Sequence, residues 1–388
     1  MTTSNKLKIY LIAGEPSGDL LGSRLMRALR KKTNDNVEFF GLGGDTMEQE
    51  GLTPLFDISE LAVMGLVEVI PSIPRVLRRI KQTVNDIKKC QPDIVITIDS
   101  WSFCARVHKA LRKENQGIKQ LHYVAPQVWA WKKRRAKTMY KYIDELLTLL
   151  PNEPQYFTPH KLRATFVGHP VIESNVLTAK GEDFKKKYNI SDDMQVISIL
   201  PGSRHTEVSK LLPDFMTAAR LLYQQNPKFV FALSTVKTVA NRVKHMVKKY
   251  NLPVIVLETE DDRYSAFQAS SAAIAASGTV ALELAICKIP HIISYKVSPL
   301  TYFLAKHLVK IKYVNLTNIM LNKNIVPELL QEKCTPQNIV KHINELLEGK
   351  SLFAKQMQGF EDIKKYLSNG EQTPSENASD EILRLIKC

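Results

Sequence analysis

Cysteine is scarce and scattered. Cys90, Cys104, Cys287, Cys334 and Cys388 are odd in number and never spaced as C-x-x-C. That argues against a disulfide framework and a thiolate metal site, and points to a reducing compartment. No apolar run reaches the roughly 18–20 residues a spanning helix needs. The first apolar stretch, Ile9–Ala13, runs straight into Glu15 and Asp19, which is not the make-up of a signal peptide. Also missing are G-x-G-x-x-G, an Asp-x-Asp metal motif, a tandem short repeat and an aromatic–basic RNA-binding pattern such as RNP1. The functions left are those of a folded cytosolic protein with an anionic partner. The 388 residues are 44% apolar and carry 54 basic against 39 acidic side chains, a net +15. That length suggests two domains, and that charge suggests nucleic acid, anionic lipid or a phosphorylated substrate.

Strand-like apolar runs alternate with helical patterns: strands at Lys8–Ala13, Val37–Leu42, Asp93–Ile98, Lys119–Tyr123, Glu145–Leu149 and Ala164–Val167, with helices at Leu20–Arg30, Ile73–Lys89, Phe103–Glu114 and Ala136–Tyr142. After Gly168-His169-Pro170 the alternation resumes, with strands at Val196–Leu200, Phe229–Leu233, Val254–Leu257, Ala272–Ala276 and His291–Ser294. Helices are expected at Leu211–Gln225, Val236–Tyr250, Arg263–Ala269, Pro299–Val309 and Pro336–Leu347, with a helix start at Pro327–Glu332. Strands apolar on both faces and separated by helices mark parallel sheets covered on both sides. The expected fold is α/β, two facing doubly wound sheets joined near 168–190, with ligands at the carboxyl ends of strands and hence in an interdomain cleft.

The segment Ala272–Ile293 is the most informative. A strand leads into Ser277-Gly278-Thr279 and then a helix, an arrangement that offers N–H groups and a positive dipole end to a phosphate. Glu283 lies one turn further on the same face, where a carboxylate suits the vicinal hydroxyls of a ribose. The alternative is a plain strand–helix joint. Leu200-Pro201-Gly202-Ser203-Arg204 offers a flexible turn, a hydroxyl and a guanidinium for a diphosphate. In the first half, Gly14-Glu15-Pro16-Ser17-Gly18-Asp19 follows a strand, and a glycine-bounded turn with two acids suits a hydroxyl-rich acceptor. Asp99 ends a strand where partial desolvation would raise its pKa and make it a general base, unless it merely caps the next helix; His169 is the rival base. Trp129 and Trp131 beside Lys132–Arg135 suit an acyl chain and a phosphate. Met64, Leu66, Val69 and Ile70, followed by Arg75, Arg78 and Arg79, form an apolar–basic helix suited to an anionic membrane surface, or an ordinary packed amphipathic helix. Asn318 either caps a helix or reaches a donor.

The stretches AGEPSGD (13–19), AVMGLVEVI (62–70), PDIVITID (92–99), HYVAPQVWAW (122–131), FVGHP (166–170), LPGSR (200–204), ASGTVALE (276–283) and YVNLTN (313–318) occur from end to end of the chain. In them the sequence resembles the lipid A disaccharide synthases. The resemblance implies a GT-B architecture: an acceptor-binding, membrane-facing domain over 1–170, a nucleotide-sugar domain over 171–348, and C-terminal helices, 349–388, that return to the first domain or are exchanged in a homodimer. It implies an inverting, metal-independent glycosyl transfer without a cofactor, from UDP-2,3-diacylglucosamine to 2,3-diacylglucosamine 1-phosphate, in a cytoplasmic protein attached peripherally to the inner membrane. Nucleic acid is not an expected partner. The implied sites are Asp99 for catalysis; Gly202, Ser203, Arg204, Ser277, Gly278, Thr279, Glu283 and Asn318 for the UDP-sugar; and Gly14, Glu15, Ser17, Gly18, Asp19 and Trp129 for the acceptor. One departure stands out: relatives commonly continue from the aspartate as Ala-Pro-Asp-Phe-Asn, whereas Asp99 is followed here by Ser100-Trp101-Ser102-Phe103-Cys104. Same-fold alternatives are a UDP-N-acetylglucosamine epimerase and a cell-wall glycosyltransferase.

Overall fold

Apolar runs of four to seven residues ending in turn-forming sequence become strands buried on both faces. In the computed structural model, which describes residues 6–61, 66–114, 117–126, 128, 133–296 and 312–387, the first six are β1 (Leu7–Ala13), β2 (Val37–Leu42), β3 (Ile94–Ile98), β4 (Lys119–Tyr123), β5 (Glu145–Thr148) and β6 (Arg163–Phe166). They form a parallel sheet in the order β2-β1-β3-β4-β5-β6. The next six are β7 (Gln195–Leu200), β8 (Phe229–Ser234), β9 (Val254–Leu257), β10 (Ser270–Ala275), β11 (His291–Tyr295) and β12 (Glu328–Leu330). They form a second parallel sheet, ordered β12-β11-β10-β7-β8-β9. Each sheet has its own core. One is built on Ile9, Leu11, Ile96 and Leu25, the other on Ile197, Phe231, Ile274 and Phe215, all fully buried.

The chain divides into two units, Met1–Pro170 with Tyr366–Cys388, and Val171–Lys365. The segment expected to act as one tail, 349–388, is therefore shared. In the helix Ser351–Leu367, Gln356 trades two hydrogen bonds with the backbone of His291 (2.8 and 2.9 Å) and Phe360 stacks on its ring, whereas the Leu367 carbonyl accepts from His169 N at 2.9 Å. The last helix, Pro374–Lys387, buries Ala378, Ile382 and Leu385 in the first unit's core. Arg384 and Arg163 both bond Glu145, whose side chain is fully buried. In this chain the tail closes on its own first unit.

Helices begin earlier than the apolar pattern suggests. The helix Pro16–Thr33 starts before Leu20 and His205–Gln225 starts before Leu211, because first turns are polar, proline suits the first helical position, and only later turns face a core. The helix expected to start at Pro327 is β12 instead. Glu328 pairs with Ile293 of β11 while its carboxylate accepts from Val314 N and Asn315 N at 2.9 Å each. Those backbone donors hold the segment as an edge strand. The expected helix Pro299–Val309 lies outside the described residues.

Candidate functional site

In an open parallel sheet, ligands bind beyond the strand carboxyl ends where the strand order reverses. In the first sheet that point lies between β1 and β3, whose ends are level at Ala13 and Ile98. In the second it lies between β7 and β10, level at Leu200 and Ala275. A cavity opens at each.

The first, about 530 Å³, is lined by Gly14, Glu15, Leu61, Asp99, Ser100, Trp101, Ser102, Phe103, Pro126 and Arg135. Asp99 and Ser100 hold successive left-handed conformations, φ 54° and 41°. Such backbone is costly for residues with a side chain and concentrates at functional sites. Asp99 is tied down by its N–H to the Tyr123 carbonyl (2.9 Å) and by Ser100 N donating to Oδ1 (2.8 Å). Burial, then the nearby Glu15 carboxylate, raise the Asp99 pKa above the usual carboxylate range, and the Ser100 N–H only partly offsets them. Glu15 is itself oriented by Ser100 Oγ, which donates to it at 2.9 Å. A Cβ on Gly14 would lie 3.2 Å from that hydroxyl. Beneath the cavity Trp101 lies 4.7 Å from the ring of His122. His122 is buried with Thr97 and His108, and desolvation depresses both histidine pKa values. Desolvation likewise lowers His169 to about 4, and His169 is not among the residues lining the cavity.

Three acceptor assignments change. Asp19 is 5% exposed; its carboxylate accepts from Gly44 N (2.7 Å), Met47 N (3.1 Å), Thr46 N (2.9 Å) and Thr46 Oγ1 (2.7 Å). It caps the helix Asp45–Gln49 and does not face the cavity. Gly18 packs under β3, where a Cβ would lie 3.3 Å from the Ile98 carbonyl oxygen, and Ser17 is exposed on the first turn of Pro16–Thr33. Neither lines the cavity. Replacing Asp19 with alanine leaves buried N–H groups unpaired, at about 1–3 kcal/mol for an orphaned donor. Thermal denaturation should therefore show a lowered Tm; an unchanged Tm with a raised acceptor KM would restore the acceptor role.

The second cavity, about 420 Å³, is lined by Leu200, Gly202, Ser203, Arg204, Glu207, Ser234, Thr235, Val236, Arg263, Ala276, Ser277, Gly278, Thr279 and Val280. Both expected phosphate loops are here, one from each side of the reversal. Gly202 has φ 99°, and a Cβ on it would sit 2.4 Å from Glu207 Oε2. That oxygen accepts from Ser203 N (3.1 Å) and Arg204 N (3.3 Å), so these two N–H groups serve the turn. Arg204 keeps 72% of its side chain exposed and donates through Nη1 to Glu207 Oε1 at 3.0 Å. Across the cavity the Ser277 hydroxyl donates to the Val314 carbonyl at 3.2 Å. A Cβ at Gly278 would meet nothing within 4 Å, so the glycine leaves open space beside the turn. The helix that follows, Val280–Ile286, is only seven residues long. Its dipole is short, which leaves Arg204 as the larger source of positive potential.

Glu283 is one turn in, but the lining side chain is Arg263, with its guanidinium 3.7 Å from Glu283 and 3.1 Å from Glu260. Asn318 is fully buried and engaged at both ends: Nδ2 donates to Val326 O (2.7 Å) and Glu328 Oε1 (2.9 Å), and Oδ1 accepts from Ile325 N (2.8 Å) and Val326 N (2.9 Å). It braces the 315–328 loop, the helix cap there being Asn315. The donor reading of Asn318 gives way to this one, because no polar atom is left over.

Sequence reasoning missed Ser234, Thr235 and Arg263 as lining residues and Glu207 as the organiser of the turn, whereas Arg135 belongs to the basic cluster expected to meet a phosphate. For the first two the signal was their place at the end of a strand and just past it. On the helix expected to meet a membrane surface, Leu66–Cys90, Arg75 and Arg78 are exposed and so is Leu77. Arg79 is not available, since it pairs with Glu60 through Nε at 2.9 Å and lies 4.5 Å over the Phe56 ring. Met64 and Trp129 lie outside the described residues, as do the side chains of Leu66, Val69 and Ile70. Among the described residues no helix is long and apolar enough to cross a membrane, and no three His, Cys, Asp or Glu side chains cluster as metal ligands.

The profile of the family described as lipid-A-disaccharide synthetase matches residues 9–382. A lipid-A-disaccharide synthase from Rhodospirillum centenum is 44% identical over 380 residues, 98% of this chain and 95% of the relative. One from Paramagnetospirillum magneticum is 45% identical over 381 residues, 98% and 97% of the two chains. Among solved structures, a putative UDP-N-acetylglucosamine 2-epimerase from Listeria monocytogenes superposes with a TM-score of 0.65 at 15% identity, covering 98% of this chain and 96% of that one. MurG from Acinetobacter baumannii superposes with a TM-score of 0.57 at 14% identity, covering 98% and 99%. At such identities these two show the GT-B fold alone.

Proposed function

The chain belongs to the lipid-A-disaccharide synthetase family, and we propose that it joins UDP-2,3-diacylglucosamine to 2,3-diacylglucosamine 1-phosphate by inverting transfer, with Asp99 as the base. The acceptor's 6-hydroxyl gives its proton to Asp99 as its oxygen bonds the anomeric carbon. The bond from that carbon to the diphosphate breaks on the opposite face, and UDP leaves with the electron pair. Arg204 and the backbone N–H groups of Ser277–Thr279 receive the charge gathering on the diphosphate, so the proposal includes no metal. Glu283, one turn past that loop, and Arg263, which pairs with it and lines the cavity, suit the ribose. Arg135, a cation in a cavity otherwise holding the acids Glu15 and Asp99, suits the acceptor's 1-phosphate. Exposed Arg75, Arg78 and Leu77 suit an anionic inner-membrane surface, from which both lipid substrates come.

The observation that carries this reading is the division of chemistry between the two strand-order reversals. A desolvated carboxylate sits at one, and an arginine facing a glycine-opened turn sits at the other. The direct test is to incubate the purified protein with both acylated sugars and follow disaccharide 1-phosphate by mass spectrometry. Release of free sugar without disaccharide would instead support epimerase chemistry.

The pH dependence has a definite sign. The base works deprotonated, so kcat/KM rises with pH through the raised pKa of Asp99. Glu15→Gln removes the second contributor to that elevation, so the acid limb should move to lower pH. A limb that stays put would remove Glu15 from the account.

A further inference from the structure

The carboxylate of Glu207 does more than close the first helical turn. Its Oε2 collects the N–H groups of Ser203 and Arg204, and its Oε1 takes two donors, Arg204 Nη1 and the Tyr295 hydroxyl, each at 3.0 Å. The turn is shaped around this carboxylate: Gly202 both adopts φ 99° and leaves the room that Glu207 fills. Tyr295 ends β11, and its ring packs against the second unit's core. Its hydroxyl is therefore anchored to the sheet, independently of the loop. The N–H bonds cap the helix, but the ion pair adds little to stability, because its arginine is 72% exposed.

We infer that Tyr295 is a positioning residue, which acts through Glu207 to hold Arg204 at the mouth of the second cavity. With the hydroxyl in place, Oε1 divides its charge between two donors and cannot rotate. The guanidinium is then steadied by one nitrogen while the rest of its fork stays free for an anion. Without the hydroxyl, Oε1 turns wholly to Arg204 and draws the guanidinium down onto the helix, away from the diphosphate. This inference rests on the reading of that cavity as the donor site.

A double-mutant cycle on the full-length protein tests it, with kcat and KM measured for Tyr295→Phe, Arg204→Gln and the pair. Phenylalanine keeps the ring in the core, and Glu207→Gln gives a second, independent way to weaken the link. Tyr295→Phe alone should lower kcat/KM about tenfold, the scale of one hydrogen bond to a charged group, with the loss mainly in kcat. In the Arg204→Gln background it should cost less than about twofold, because residues in one network are not additive; Glu207→Gln should lose its effect there in the same way. Additive losses would assign Tyr295 a merely structural role and overturn the inference, and so would an unimpaired Tyr295→Phe enzyme beside an impaired Arg204→Gln one. An unimpaired Arg204→Gln enzyme would sink the donor reading itself.

Discussion

Asp99→Asn should lower disaccharide formation by about 10²–10⁴-fold, the usual contribution of a positioned general base, with the fold unchanged. The substitution is well matched to its site. Asparagine tolerates the left-handed backbone that Asp99 adopts at φ 54°, and its side-chain oxygen can still accept the Ser100 N–H now bound at 2.8 Å. What it loses is proton affinity. Turnover should be measured at saturating substrates across pH, because a missing base cannot be restored by raising pH through the acid limb. Near-normal turnover would mean that the base is another group. Ser100-Trp101-Ser102 offers no second carboxylate to take the role, and Glu15, the other acid in the cavity, already accepts from Ser100 Oγ.

Arg204→Gln should cost about 10²–10³ in rate, comparable to losing one preorganised donor to a developing anion. The size follows from what is left. The N–H groups of Ser203 and Arg204 are committed to Glu207, the Ser277 hydroxyl to Val314, and the seven-residue helix after Thr279 supplies a short dipole. No core contact is lost with so exposed a side chain, so Tm should not move. An unchanged rate would contradict the reading of this cavity as the donor site.

How much of this was legible in the sequence depends on the range of the interaction. Strands and strand-end loops were, because a buried parallel strand writes itself as an apolar run ending in glycine, serine or aspartate; one cavity lies where the loops after Ala13 and Ile98 converge, the other where those after Leu200 and Ala275 do. Residues whose role is set by a distant partner were not. Asp19 looks like an acid in a strand-end turn until its carboxylate is found capping the helix Asp45–Gln49. Asn318 looks like a loop amide until the 325–328 backbone is seen to use it up. Arg79 belongs to a basic run, yet Glu60 and Phe56 hold it. Glu207 was visible as a helix residue, but nothing in its spacing says that its two oxygens face a turn, an arginine and a tyrosine from β11. The tail's return was implied by the resemblance alone; the buried carboxylate of Glu145 that Arg163 and Arg384 meet is concealed by the pattern of β5.

The central claim is that nucleotide binding and proton removal belong to different units. Isothermal titration of UDP into the wild type, Asp99→Asn and Arg204→Gln proteins tests it most directly. Asp99→Asn should bind UDP within about twofold of the wild type, whereas Arg204→Gln should bind about tenfold or more weakly, as expected for a lost charge-assisted hydrogen bond. Equal losses in both variants, or undiminished UDP binding by Arg204→Gln, would contradict it.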